Sequence, residues 1–120
     1  MFAVIYPASG LPTSHALVPI AGRPLVSRQL QWLRALGVER VALMLPSGPE
    51  GDHVARWISD NEPVSRDVVF VRDADSVAEA AARAGFEGRP HLALGSDVVG
   101  DGDLSRLYAL ATRGRVVAHL

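Results

Sequence analysis

Two segments of this sequence gather side chains that could do chemistry. The stretch Gly95-Ser96-Asp97-Val98-Val99-Gly100-Asp101-Gly102-Asp103 carries three carboxylates, and hard oxygen ligands packed this closely invite a divalent-cation reading. A calcium loop of the EF-hand kind needs a distal glutamate that is missing here, and Asp103 stands where it can cap the helical pattern that follows. The other segment, Pro7 to Ile20, is rich in Pro, Ser, Thr and Gly and holds one histidine, His15. It is too long for a tight turn, and loops of that kind usually bind something or move.

Other chemistries are excluded by what the chain lacks. There is no cysteine, so thiol nucleophiles, disulfides and cysteine-based zinc sites are all absent. The histidines, at 15, 53, 91 and 119, show no metal-ligand spacing, which removes a histidine zinc site. Neither Ser9-Gly10 nor Ser96-Asp97 forms the Gly-x-Ser-x-Gly elbow of a hydrolase. Every basic side chain is an arginine, so lysine-dependent chemistry is absent as well.

The elements that must position these segments follow from composition and periodicity. The chain has 120 residues, 48% hydrophobic and 21% charged, which is the composition of one globular α/β-sized domain and not of a disordered or collagen-like chain. Its formal net charge of −1 gives no global positive field to hold nucleic acid or an anionic membrane. The first residues lack the basic start of a signal peptide, and no apolar run nears the ~18 residues of a spanning helix, so a cytoplasmic address is expected.

Five apolar, β-branched runs read as strands: Phe2–Tyr6, Val38–Leu45, Val68–Val71, His91–Gly95 and Val116–Leu120. They are apolar at nearly every position, as strands covered on both faces are, which favours a parallel sheet. Helical patterns lie between them. Pro24 is expected as a first helical residue, with Leu25, Val26, Leu30, Leu33 and Leu36 at helical spacing before Gly37. A second helix spans Gly51 to Ser59, a third follows the capping-box pattern Ser76-Val77-Ala78-Glu79 and stops at Gly85, and a fourth runs from Asp103 to Gly114. Trp32 and Trp57 fall on the first two helices, where helix-to-sheet packing or an interface anchor is expected.

The alternating order predicts a Rossmann-like three-layer α/β/α sandwich with a mostly parallel five-stranded sheet. Ligands of such sheets bind beyond the carboxyl ends of the strands, and the two chemistry-bearing segments both fall on that edge.

Ala3-Val4-Ile5-Tyr6-Pro7-Ala8-Ser9-Gly10, followed by Ala16-Leu17-Val18-Pro19-Ile20-Ala21-Gly22-Arg23-Pro24-Leu25-Val26, resembles the amino-terminal signature of the nucleotidyltransferases that make NDP-sugars and of the molybdenum-cofactor guanylyltransferases. Leu36-Gly37-Val38-Glu39-Arg40-Val41 is similar to that family's second-strand entry, and Leu92-Ala93-Leu94-Gly95-Ser96-Asp97 to its strand ending in Ser-Asp. The resemblance implies transfer of NMP from a nucleoside triphosphate to a phosphorylated sugar or similar acceptor, with Mg2+ as cofactor. It puts Ala8, Ser9 and Gly10 on the nucleotide phosphates, His15 at the position of the signature lysine, and Asp97 at the metal. It also implies that residues 1–120 form the nucleotide-binding domain, with the acceptor-binding half absent.

The loop departs from the family pattern in a way that bears on activity. Pro7-Ala8-Ser9-Gly10-Leu11-Pro12-Thr13 keeps one glycine and no arginine, and Pro7 and Pro12 offer no N–H donors. His15 is mostly neutral at pH 7 on an unperturbed pKa and so is a poor fixed cation. Arg23 fits a structural place at the start of the first helix better than a ligand contact. The alternative expectation is therefore a catalytically inactive relative serving as a regulatory or assembly module. A phospho-receiver domain is excluded by Tyr6-Pro7 at the end of the first strand and by the absence of lysine, and a dinucleotide fold by the absence of Gly-x-Gly-x-x-Gly. Among partners the reading admits a nucleoside triphosphate and, through an edge strand at Val116–Leu120, a second copy of the chain. It expects neither nucleic acid nor membrane.

Overall fold

The computed structural model describes residues 1–7, 10–20, 22–62 and 67–96, together with the backbone of 118–119. Its main sheet has five strands: β1 (Phe2–Tyr6), β4 (Arg40–Leu45), β5 (Val68–Arg72), β6 (His91–Gly95) and β7 (Ala118–His119). They lie in the order β5-β4-β1-β6-β7, and every neighbouring pair is parallel. A second, two-stranded sheet is antiparallel: β2 (Pro19–Ile20) and β3 (Arg23–Pro24).

The strands β1, β4, β5 and β6 bury side chains at successive positions, which is why these runs are apolar nearly throughout. Ala3 and Ile5 of β1 pack with Val26, Leu30 and Leu33 of α1 (Leu25–Ala35) and with Val54 and Ile58 of α2 (Pro49–Asn61). Phe2 and Val4 point the other way, toward Ala80 and Ala81 of α3 (Val77–Arg83) and toward Phe86. Phe86 stacks on Phe2 with ring centroids 4.5 Å apart. The result is three layers, α/β/α.

The sheet sets the position of the crevice. From β1 the chain passes through α1 to β4 on one side and on to β5, then returns to place β6 on the other side of β1. Connections therefore diverge between β1 and β6, where Tyr6 stands in register with Gly95. The Ser96 N–H donates to the Tyr6 carbonyl at 2.8 Å and extends this pairing one residue past the strand.

Local details depart from the sequence expectation in places. Pro24 is not the first helical residue; its ψ of 146° is extended, and it closes the small hairpin opposite Pro19 as the residue before α1. Gly22, at φ +85°, makes that hairpin turn. The helix expected over Gly51–Ser59 is longer at both ends, because Pro49 can occupy its first turn without losing a bond and Glu50 and Asp52 favour the N-terminal dipole. Ser76 caps α3 by accepting the Glu79 N–H at 3.1 Å, and Glu79 reaches back to the Asp75 N–H at 2.7 Å, one residue further than the usual reciprocal bond. Of the strand expected at Val116–Leu120 the described part is β7, and the helix expected over 103–114 lies outside the described residues. No described helix is long and apolar enough to cross a membrane.

Candidate functional site

The ends of β4 and β5 and the loop after β1 border an open cleft of about 380 Å3 on the carboxyl edge of the sheet. Met44, Leu45 and Pro46 supply its apolar wall, Pro7 and Thr13 close it from the loop, and Asp73 to Asp75 form the opposite rim. A smaller cavity of about 40 Å3 continues beneath the loop to Tyr6 and Ser96 at the switch point. Another cavity of about 320 Å3, lined by Leu30, Val38, Val41 and Val68 among others, opens at the opposite end of the strands, away from the ligand edge of such sheets.

The β1 loop is not irregular throughout. Residues Thr13–Leu17 form a 3-10 turn in which the His15 N–H donates to the Pro12 carbonyl at 3.0 Å and the Val18 N–H to the His15 carbonyl at 3.1 Å. Thr13 thereby faces the cleft, whereas His15 is half-buried and lines neither of the two cavities on this edge. Gly10 stands exposed at φ +81°, a conformation that suits glycine. Ala8, Ser9, Asp97, Asp101 and Asp103 lie outside the described residues.

The β5 end fastens the β4–α2 loop. Asp73 adopts φ +53°, unusual for a residue other than glycine, and its N–H donates to the Leu45 carbonyl at 3.0 Å. Its carboxylate accepts the Ser47 N–H at 2.8 Å and the Ser47 hydroxyl. The Ser47 hydroxyl first, then its backbone N–H, hold the Asp73 carboxyl below its ordinary pKa, helped by Arg72 and Arg83 and opposed by slight desolvation. Next to it, Arg72 donates to the Pro46 carbonyl at 3.0 Å and pairs with Asp52 at 3.1 Å, while Arg83 donates to the Arg72 carbonyl at 2.6 Å. Two carboxylates, Asp73 and Asp75, thus line the cleft, and no cationic side chain lines it among the described residues.

The β6 end is held from the core. Gln29, only 1% exposed on α1, donates its side-chain amide to the Gly95 carbonyl at 3.0 Å. The strand therefore delivers Ser96 directly beside the end of β1.

Sequence reading missed Thr13, Asp73, Asp75 and Gln29. The edge rule it applied to the first and fourth main strands applies equally to Asp73-Ala74-Asp75, which follows the third. Gln29 was detectable by helical spacing, since it sits three residues from Val26 and four from Leu33 on the buried face.

No protein-family model matches the chain, and no curated protein matches it. Among solved structures it resembles HddC from Yersinia pseudotuberculosis, crystallised in complex with GMP-PN, with a TM-score of 0.70 and 22% sequence identity. The match covers 91% of this chain and 53% of that one, so the chain spans about half the length of HddC. The likeness shows a shared fold, a three-layer α/β/α sandwich around a mostly parallel sheet.

Proposed function

We propose that this domain binds a nucleoside triphosphate in the cleft between the β1 loop and the β4 and β5 ends, as the nucleotide-binding part of a nucleotidyltransferase. The observation that carries the reading is the position of that cleft. It adjoins the switch point of a sheet whose structural neighbour was solved with GMP-PN. Met44, Leu45 and Pro46 offer an apolar wall to a flat base, and Asp73 and Asp75 offer acceptors to its N–H groups. The loop from Pro7 to Thr13 would then run over the phosphates, with the backbone of Ala8, Ser9 and Gly10 nearest to them.

Asp97 is the residue proposed to hold Mg2+, and the fit rests on β6 ending two residues before it on the correct edge, tied to β1 through Ser96. When bound, the metal would offset phosphate charge as NMP passes to a phosphorylated sugar or similar acceptor and pyrophosphate leaves. The reaction itself is expected to be slow. The chain has no lysine, and His15 lines neither cavity, so the cations that stabilise the transferring phosphoryl group are missing from the described cleft. That same observation favours a second reading, a nucleotide-sensing regulatory or assembly module without transfer activity.

Titrating the Asp97→Ala chain with nucleotide and Mg2+ tests the metal role. The expected outcome is loss of at least tenfold in metal-dependent affinity, and unchanged affinity removes Asp97 from the site. Pyrophosphate release with sugar 1-phosphates as acceptors separates the two readings: release assigns transfer, and its absence from a chain that binds nucleotide assigns the module.

A further inference from the structure

The least expected side chain near the site is inside the core. α1 presents Val26, Leu30 and Leu33 to the sheet, yet Gln29, between them, is buried to the same degree. A primary amide in such a place loses its water and must be compensated, whereas a methionine of similar length would fill the space without that cost. What the amide adds is direction. Its N–H reaches the Gly95 carbonyl, the last of β6, across 66 positions of sequence. Gly95 is buried and in register with Tyr6, and the next residue donates its N–H to the Tyr6 carbonyl and lines the cavity at the switch point. One side chain therefore ties the helix after the β1 loop to the strand end that faces this loop.

We propose that Gln29 is a positioning residue for the nucleotide site, setting from within the core where the β6 end, with Ser96, meets the end of β1. The proposal rests on the reading of this edge as the nucleotide site, because positioning matters only if something binds there. Gln29 touches no ligand in this account. It acts through Gly95 and Ser96, so its removal changes the geometry of the β6 turn and leaves the base-facing wall of Met44 to Pro46 as it is.

The test uses the whole chain and the Gln29→Met substitution, which keeps length and apolar packing and removes the directed bond. Hydrogen exchange, read residue by residue, is expected to be at least tenfold faster at the Ser96 amide and unchanged at Ile5 in mid-strand, with a thermal midpoint close to that of the parent. Titration with the common NTPs is expected to show the metal-dependent part of binding weakened at least tenfold and the metal-free part unaltered. A Gln29→Leu chain serves if the methionine variant fails to fold. Unchanged Ser96 exchange in a folded variant overturns the positioning role whether or not nucleotide binds. So does an equal loss with and without metal, which marks a merely structural residue. A parent chain that binds no NTP overturns the nucleotide reading, and the positioning role at that site falls with it.

Discussion

Asp73 does at the β5 end what a longer loop would otherwise need several residues to do. A left-handed backbone turns its carboxylate back onto Ser47, and two acceptor oxygens hold both the N–H and the hydroxyl of that residue. Because the folded chain keeps this carboxyl ionised below its ordinary value of 3.8, its contribution is present above the unfolded pKa. The contribution is lost as pH falls through the lower, folded value. Asp73→Asn keeps an acceptor and a side chain that tolerates the left-handed region but removes the titration. Chemical unfolding at a series of pH values should find the parent more stable than the variant at pH 7, with the gap closing below about pH 4. A gap that stays constant down to pH 2 would mean that the charge on Asp73 plays no part. The same carboxylate shows why some of the site escaped sequence reading: Asp-Ala-Asp after a strand looks like a solvated turn until the partner loop, 26 positions away, is seen against it.

At the scale of elements, α2 depends on a glycine that helix propensity would disfavour. Gly51 is buried in the first turn, and a Cβ there would collide with the Pro46 carbonyl oxygen and the Arg72 guanidinium. Those two groups are the bonded pair that ties the cleft wall to β5, and the collision involves backbone that cannot swing aside. Gly51→Ala is expected to lower stability by about 1–3 kcal/mol despite the better helix former, as overpacking does. Urea unfolding measures it, and a stability equal to or above the parent's would refute the close approach. The strands and α1 were legible because continuous apolar runs and a helical stripe are strong signals. The β2–β3 hairpin was not, since two-residue strands containing proline carry no periodicity. Pro24 misled for a related reason: a proline before a leucine stripe fits both the first helical position and the residue ahead of it.

The whole molecule is a parallel sheet whose strand order, β5-β4-β1-β6-β7, makes one crevice at the end of β1. Fold class followed from alternation of strand and helix patterns, and the fold match to HddC extends over 91% of the chain. The chemistry was less legible because it depends on which strand ends converge. His15, which the sequence resemblance puts forward as a site residue, lines neither cavity, while Thr13, Asp73 and Asp75, unremarkable in sequence, line the cleft. A cleft with an apolar wall, two carboxylates and no described cation suits the base of a nucleotide better than its phosphates, so metal should matter more to binding here than in a lysine-bearing relative. Calorimetric titration of the chain with each common NTP, with and without Mg2+, tests that claim most directly. Micromolar binding of one nucleotide that weakens sharply when the metal is withheld is the expected result, and no heat of binding from any of them at millimolar concentration would rule out the nucleotide site.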